Sequence, residues 1–538
     1  MTLAGATAST RPAAPVPERV RSWSPRRLRP RDRVPLPLAV AGLVTAAVVA
    51  LPVVFVLAQA GGVGWAQARA LLLRPTVAQL LGSTAALTAA VTALSVVIGV
   101  ATAWCTERAD LPGVRVWRVL VVLPVAIPEF VSGYSWVSLT RAVYGLGGAV
   151  LISTLSLYPL VYLPVAAMLR GRDPAQDDVA RSLGLRPGAV FRRVTLPQIR
   201  PALLGGALIV GLHLLGEYGE FAIVRYPTFA TEIFTEYNLG FAPASAALLS
   251  VVLVVLCVAL LGGETRLTGA ARQARIGSGA PGPAAPVRLG RLAPLVLAGF
   301  TGLATLALGV PIGSLGYWLI RGGSTTLPPA SIWAAAGHTL TLGAAAAGAA
   351  TLLALPVALL AVRHHSRLTV LLERSTYLAR ALPGVVVALA LVFFALHYAP
   401  LVYQSAPLLV LAYAVLFLPL ALIVLRATLT QLPPGLTEMG RSLGRRPIAV
   451  LVRVTLPLLG PGLAAAAALV FLSTTTELTA TLLLRPTGLQ TLATQFWVYT
   501  SGLAYGAAAP YAALMVAVSA LPTYLLSRRI DSMSTTAR

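Results

Sequence analysis

Apolar runs of roughly 20 residues, the length that crosses the hydrocarbon of a bilayer, recur along the whole chain. They begin near Pro35, Leu80, Val119, Val150, Pro201, Ala242, Leu295, Thr339, Leu382, Leu408, Pro461 and Ala507. The spacing predicts about twelve membrane spans, six in each half, separated by polar stretches. Composition agrees, because 538 residues with 57% hydrophobic, only 11% charged and a mean hydropathy of +0.82 exclude a soluble globular domain. The expected fold class is an all-α integral membrane protein.

The polar stretches carry a repeat. Asp178-Val-Ala-Arg-Ser-Leu-Gly184, running on to Thr195-Leu-Pro197, returns as Glu438-Met-Gly-Arg-Ser-Leu-Gly444, running on to Thr455-Leu-Pro457. The offset of 260 residues is constant from Asp178 and Glu438 to Pro197 and Pro457. Duplicated architecture follows, with one matching loop in each half, 170–198 and 427–458. The halves are expected at 35–263 and 293–527. They are flanked by an Arg-rich arm at 1–34, a Gly-, Ala- and Pro-rich linker at 264–292 and a tail at 528–538. The arm has eight Arg between Arg11 and Arg33 and no apolar periodicity, which predicts a disordered segment against anionic headgroups. A cleavable signal is not expected there, since the apolar run after it is long enough to span.

Charge changes the picture next. The net charge is +24, and every basic residue is Arg. In the twelve-span topology only Arg69, Arg74, Arg141, Arg225, Arg321 and Arg485 fall near or beyond the outer face. Glu129, Glu217, Glu220, Glu232, Glu236 and Glu477 fall outside or within the membrane. The whole net positive charge then lies on one side, which the positive-inside rule makes cytoplasmic, along with both termini and both loops. A nucleic-acid binder needs a basic folded face with stacking aromatics, and none is visible. Cys105 and Cys257 fall near cytoplasmic helix ends, where a disulfide is not expected. The five histidines, His213 among them, show no structural zinc spacing. A nucleotide-binding loop requires Lys, and the chain has none, so any ATP must be bound by another chain.

Each loop places an acid-led helical segment before a Gly that permits a bend. A Pro three residues later is suited to open a second helix. Val190, Phe191 and Val194, and in the second copy Val450, Leu451 and Val454, then predict an interfacial helix offering an apolar knob ringed by Arg, closed by Thr-Leu-Pro. An amphipathic anchor explains one such loop but not two in register.

At these residues the chain resembles the membrane subunits of binding-protein-dependent ABC importers. Their hallmark is a cytoplasmic loop of the form E-A-A-x-x-x-G followed by L-P. Asp178, Ala180 and Gly184 fit it in the first half, Glu438 and Gly444 in the second, with Met439 and Gly440 in place of both alanines. The resemblance implies a type I ABC importer permease fold, here two parallel six-helix repeats, in a bacterial cytoplasmic membrane. It implies ATPase coupling through Asp178, Ala180, Gly184, Phe191, Pro197, Glu438, Gly440, Gly444, Leu451 and Pro457. Two copies of an ABC ATPase carrying ATP and Mg, and an extracytoplasmic substrate-binding protein, are the implied partners; the chain itself binds no cofactor.

The same offset pairs Glu217 with Glu477 and Arg225 with Arg485. Ionisable residues within spans are functional candidates by default, so Glu217, Glu220, Glu477, Arg225 and Arg485 are the candidate pathway residues; a hydrogen-bonded Glu holding helices together is the structural alternative. Leu123-Pro-Val-Ala-Ile-Pro128, Leu382-Pro-Gly384 and Thr476-Glu-Leu-Thr-Ala-Thr-Leu-Leu-Leu-Arg-Pro486 resemble the fused permeases of the ferric-iron uptake family, which implies iron as cargo. Thr476 and Thr479 stand where that family usually has Lys and Pro. Related fused permeases carry thiamine or organophosphonates. Oxygen donors suit a hard cation, yet the residues identify no metal ligand. An ion-coupled secondary transporter also has repeats of this kind but no use for two matching loops, and an intramembrane enzyme would need convergent catalytic groups that the spans do not display.

Overall fold

The computed structural model describes residues 35–171, 175–238, 240, 242–268, 287–321, 330–364, 366–379, 382–433, 439–440, 442–445 and 447–535. The expected arm at 1–34, positions 269–286 of the linker, and Glu438 lie outside the described residues.

The first half contains α1 (Leu36–Gly61), α2 (Trp65–Leu72), α3 (Pro75–Arg108), α4 (Val114–Val122), α5 (Glu129–Leu139) and α6 (Leu146–Arg170). It continues with α7 (Ala175–Ser182), α8 (Pro187–Val190), α9 (Leu196–Gly216), α10 (Gly219–Ile223), α11 (Phe229–Asn238) and α12 (Pro243–Thr268). The second half contains α13 (Ala293–Ala304), α14 (Val310–Arg321), α15 (Ala330–Arg363), α16 (Arg367–Leu378), α17 (Gly384–Tyr398) and α18 (Ala406–Gln431). After its loop come α19 (Pro447–Val450), α20 (Leu456–Thr475), α21 (Thr479–Leu484), α22 (Leu492–Ser501) and α23 (Tyr505–Thr535). The described residues add one isolated β-bridge, Ala109 with Val287.

Among the described residues, nine helices are long and apolar enough to cross a membrane, and Gly384–Tyr398 and Tyr505–Ala520 are shorter apolar helices. The span expected near Val119 is not one helix. Pro124 and Pro128 interrupt it, since proline removes a backbone donor and its ring clashes with the preceding turn, leaving α4, a 3-10 turn at Leu123–Ala126 and then α5.

The long helices turn small and polar residues inward. On α3 the buried stripe holds Leu80, Thr84, Leu87, Val91, Ser95, Gly99, Thr102 and Thr106 at helical spacing, while Leu81, Leu94 and Val97 face outward. Lipid is as apolar as leucine, so close packing and hydrogen bonding rather than hydrophobicity select the inner face. Gly99 of α3 and Gly206 of α9 both press on α6 around Val161. A Cβ at Gly206 would lie 2.9 Å from Val161 Cα, and one at Gly99 would lie 3.0 Å from the Tyr158 carbonyl oxygen.

Each half lends its first helix to the other. α1 packs on α15, α16 and α17, and α13 and α14 pack on α4 and α5. Thr45 Oγ1 donates to the Leu353 carbonyl at 3.0 Å, and the Ser138 and Ser314 hydroxyls lie 3.0 Å apart. The helices that lead into the loops are clamped by ion pairs. Glu107 holds Arg118 at 3.0 Å and Arg170 at 3.5 Å at the end of α6, and Glu373 pairs with Arg426 on α18.

Candidate functional site

Both halves break a helix at the same position. α9 ends at Gly216, Glu217 is extended, and α10 starts two residues later; α20 ends at Thr475 and α21 follows Leu478. The two glutamates cap the helices that restart. Glu217 Oε1 accepts from the Glu220 N–H at 2.9 Å. The Glu477 carboxylate accepts from the N–H groups of Ala480 at 3.0 Å and Thr481 at 3.2 Å, and from the Thr481 hydroxyl at 3.1 Å. A helix start has orphan donors, and one that loses its acceptor bears its own desolvation cost. Glu477→Ala is therefore expected to cost about 2 kcal/mol, whereas Glu477→Gln, which keeps an acceptor oxygen, should cost less than half of that. Thermal unfolding of the detergent-solubilised chain checks this, and equal losses in the two variants would remove the capping role.

These breaks face a cavity of about 430 Å³ between the halves. Its walls repeat at the offset of the loops: Leu160 with Leu420, Leu212 with Leu472, His213 with Ser473 and Glu217 with Glu477. A second pair of helix starts enters from α5 and α17, where Pro128 and Pro383 precede the first helical residues, Glu129 and Gly384. The symmetry fails there. Glu129 Oε1 lies 2.8 Å from His213 Nε2, and Glu129, His213 and Glu217 each bring a ligand atom within 4.8 Å of the others. On the second side Gly384 and Ser473 occupy these places, and a Cβ at Gly384 would sit 3.1 Å from Glu477 Oε1. Among the described residues no Arg lines the cavity.

The loops are alike in detail. Gly184 and Gly444 take φ of +81° and +73°, the left-handed conformation that glycine adopts freely. At each bend the N–H one residue past the glycine returns to the carbonyl five residues earlier, Leu185 to Ala180 and Arg445 to Gly440, both at 3.2 Å. Ala180 and Val190 are buried, and Gly440 lies so close to Val450 that a Cβ would approach Val450 Cγ2 to 3.0 Å. The small residue at this motif position is thus what lets the two helical segments cross. Among the exposed apolar residues of the loops, which also include Val179, Met439 and Val452, the most exposed are Leu183 (77%) and Leu443 (78%), just before the bends; Val190 and Val450, which the apolar spacing nominates for the knob, face inward. Asp178 is exposed and 3.9 Å from Arg181, whereas its neighbour Asp177 is buried against Arg108 at 3.8 Å.

Thr-Leu-Pro does not close the loop segment. The helix runs without interruption from Gly188 to Gly216, passing through a widened π turn at Phe191–Thr195, and the second half repeats that turn at Leu451–Thr455. Pro197 and Pro457 supply the reason, since the wider turn accommodates the ring and the missing donor. The segment of each loop that follows the bend is therefore continuous with a span.

A family model described as "Binding-protein-dependent transport system inner membrane component" matches residues 96–263 and 350–532, once in each half. The chain belongs to this family. Similar permeases include "Fe(3+)-transport system permease protein FbpB 2" of Haemophilus influenzae, 38% identical over 89% of this chain and 95% of that one. "Molybdenum transport system permease protein ModB" of Mycobacterium tuberculosis is 31% identical over 34% of this chain and 72% of its own length. "Sulfate transport system permease protein CysW" of Synechocystis is 28% identical over 31% and 68%. The chain is thus a permease with both halves fused.

Of the pathway residues nominated by this permease's sequence, Glu217 and Glu477 share the cavity. Glu220 is fully buried behind it, with Oε1 accepting from Ser153 Oγ at 2.8 Å. Arg225 and Arg485 are not in its wall. Arg225, with φ of +55°, lies 5.0 Å over the Tyr144 ring, and Arg485 lines a separate cavity of about 740 Å³ with Gln404 and Thr487. Glu129 and His213 were missed. The signal for His213 was its place four residues before Glu217, on one helical face; for Glu129 it was the Pro128 that opens α5.

Proposed function

We propose that this permease forms the membrane pathway of an ATP-driven importer and passes ferric iron inward from an extracytoplasmic binding protein. The observation that carries this reading is the chemistry of the cavity between the halves. Helix starts attract anions through their free N–H groups and dipoles. In this cavity Glu217 and Glu477 occupy those N–H groups from within, and Glu129 sits at the α5 start. Three carboxylates repel sulfate, molybdate or phosphonate and suit a hard cation. Likeness over nearly the full length to an Fe(3+)-transport permease supports the same cargo.

Counting the broken pair α4 and α5 as one crossing and α13 with α14 as another gives six crossings in each half. The repeats are parallel, related by an axis along the membrane normal. Both termini and both loops face the cytoplasm, where Arg concentrates. One ATPase docks on each loop, over Leu183 and Asp178 or over Leu443, and supplies the ATP and Mg site. ATP-driven closure of the ATPase pair moves the loops, and because each loop is continuous with a span that ends at a cavity glutamate, the movement reaches the site directly.

The test is radiolabelled ferric-iron uptake at limiting iron, in cells lacking the gene and in the same cells with it restored. Uptake is expected to fall on deletion and to return with the gene; unchanged uptake would overturn iron as the cargo.

A further inference from the structure

We propose that Glu129, His213 and Glu217 form a three-ligand cation site inside the cavity, which holds the cargo ion itself, freed of its carrier, on the first half of the permease. The proposal rests on the importer reading above and adds the residues that bind the cargo. His213 and Glu217 stand four residues apart at the end of α9, so their side chains leave on one face, and Glu129 meets them from the first position of α5. A metal bound at roughly 2.1 Å by three ligands needs donor atoms about 3 to 4 Å apart, and the three donors already lie within 4.8 Å of one another. Carboxylates with a single imidazole suit iron and neighbouring first-row cations.

A second observation points to a ligand. Glu129 is a wall residue of the cavity, its side chain is nine-tenths buried at 10% exposed, and while Oε1 meets His213, Oε2 is buried with no hydrogen-bond partner among the described residues. A buried carboxylate oxygen left alone is costly unless something arrives to pair with it. Nor does the fold require Glu129 and His213. The second half builds the same helix starts and the same break with Gly384 and Ser473 in their places. Three ligands leave coordination positions open to water, which lets the ion depart. Glu477 faces the same cavity from the other half, already engaged as a cap.

The experiment uses the full chain in lipid nanodiscs with ferric nitrilotriacetate as the probe, reading iron retained per chain and the iron X-ray absorption spectrum. The wild type is expected to retain about one iron, with a nitrogen scatterer that disappears in H213Q. E129Q/H213Q should bind about tenfold or more weakly, a loss of the size seen when metal-site groups are removed. E217Q keeps an oxygen for the Glu220 N–H, so it folds and should weaken binding as well. A wild type that retains no iron, or E129Q/H213Q binding as tightly as wild type, overturns the site. Gene-dependent iron uptake that persists in E129Q/H213Q overturns the site while leaving the importer reading intact. Retention of manganous ion in place of ferric, lost in E129Q/H213Q, supports the site and overturns iron as the cargo.

Discussion

Leu183→Asp combined with Leu443→Asp should reduce ATP-driven uptake to background while leaving the chain inserted in the membrane. Both leucines stand almost fully exposed at the bends of the matched loops, 77% and 78%, so neither supports the fold from which it projects. With the ATPase docked over these loops, each leucine is covered by the partner, and a carboxylate in its place loses the apolar burial and must be desolvated, which costs about 2 kcal/mol or more. That corresponds to roughly 30-fold weaker docking at each loop. The ATPase should no longer co-purify with the double variant, and each single variant should retain part of the association through the other loop. Full uptake by the double variant would show that the ATPase grips some other surface.

Gly206→Leu should prevent the first half from packing, whereas Gly205→Leu one residue away should be tolerated. A Cβ at Gly206 meets backbone atoms of α6, Val161 Cα at 2.9 Å and the Leu160 carbonyl oxygen at 3.1 Å, and backbone cannot rotate aside. At Gly205 nothing lies within 4 Å, and leucine is the better helix former. Overpacking between two helices costs about 3 kcal/mol, a large part of the stability of an ordinary domain. Thermal melting of the solubilised chain should separate the two variants by many degrees; similar melting would mean that α6 and α9 pack less tightly than their backbones indicate.

What the sequence disclosed and what it hid divide along physical lines. Glu217 and Glu477 were legible as a pair because the register between the halves is strict from the loops through the following spans. The register slips between Pro128 and Pro383, so Glu129 has no acidic counterpart and falls opposite Gly384. His213 falls opposite Ser473, and a residue without an internal copy carries no repeat signal. Apolar periodicity after Pro187 directed attention to Val190, which is buried, because a helix face against its own neighbour reads the same as one awaiting a partner. Leu183 lies outside that periodicity, in the turn. The first helix break was hidden in apolar composition: Leu123–Ala126 is as hydrophobic as the span it interrupts, and only the prolines mark it, whereas the break at Glu217 is marked by its acids. The exchange of first helices left no pattern, since a leucine facing another helix and a leucine facing lipid obey the same rule.

That exchange sets the timetable of biosynthesis. α1 emerges first, but its Thr45 hydroxyl bonds a carbonyl 308 residues further along the chain. At bacterial elongation rates of about 5–20 residues per second, its berth on the second half is made about 15 to 60 s later. Until then α1 waits in lipid beside an unfinished neighbour, and a ribosome that stops early leaves behind a first half still missing the surface that its leading helix was shaped to fit.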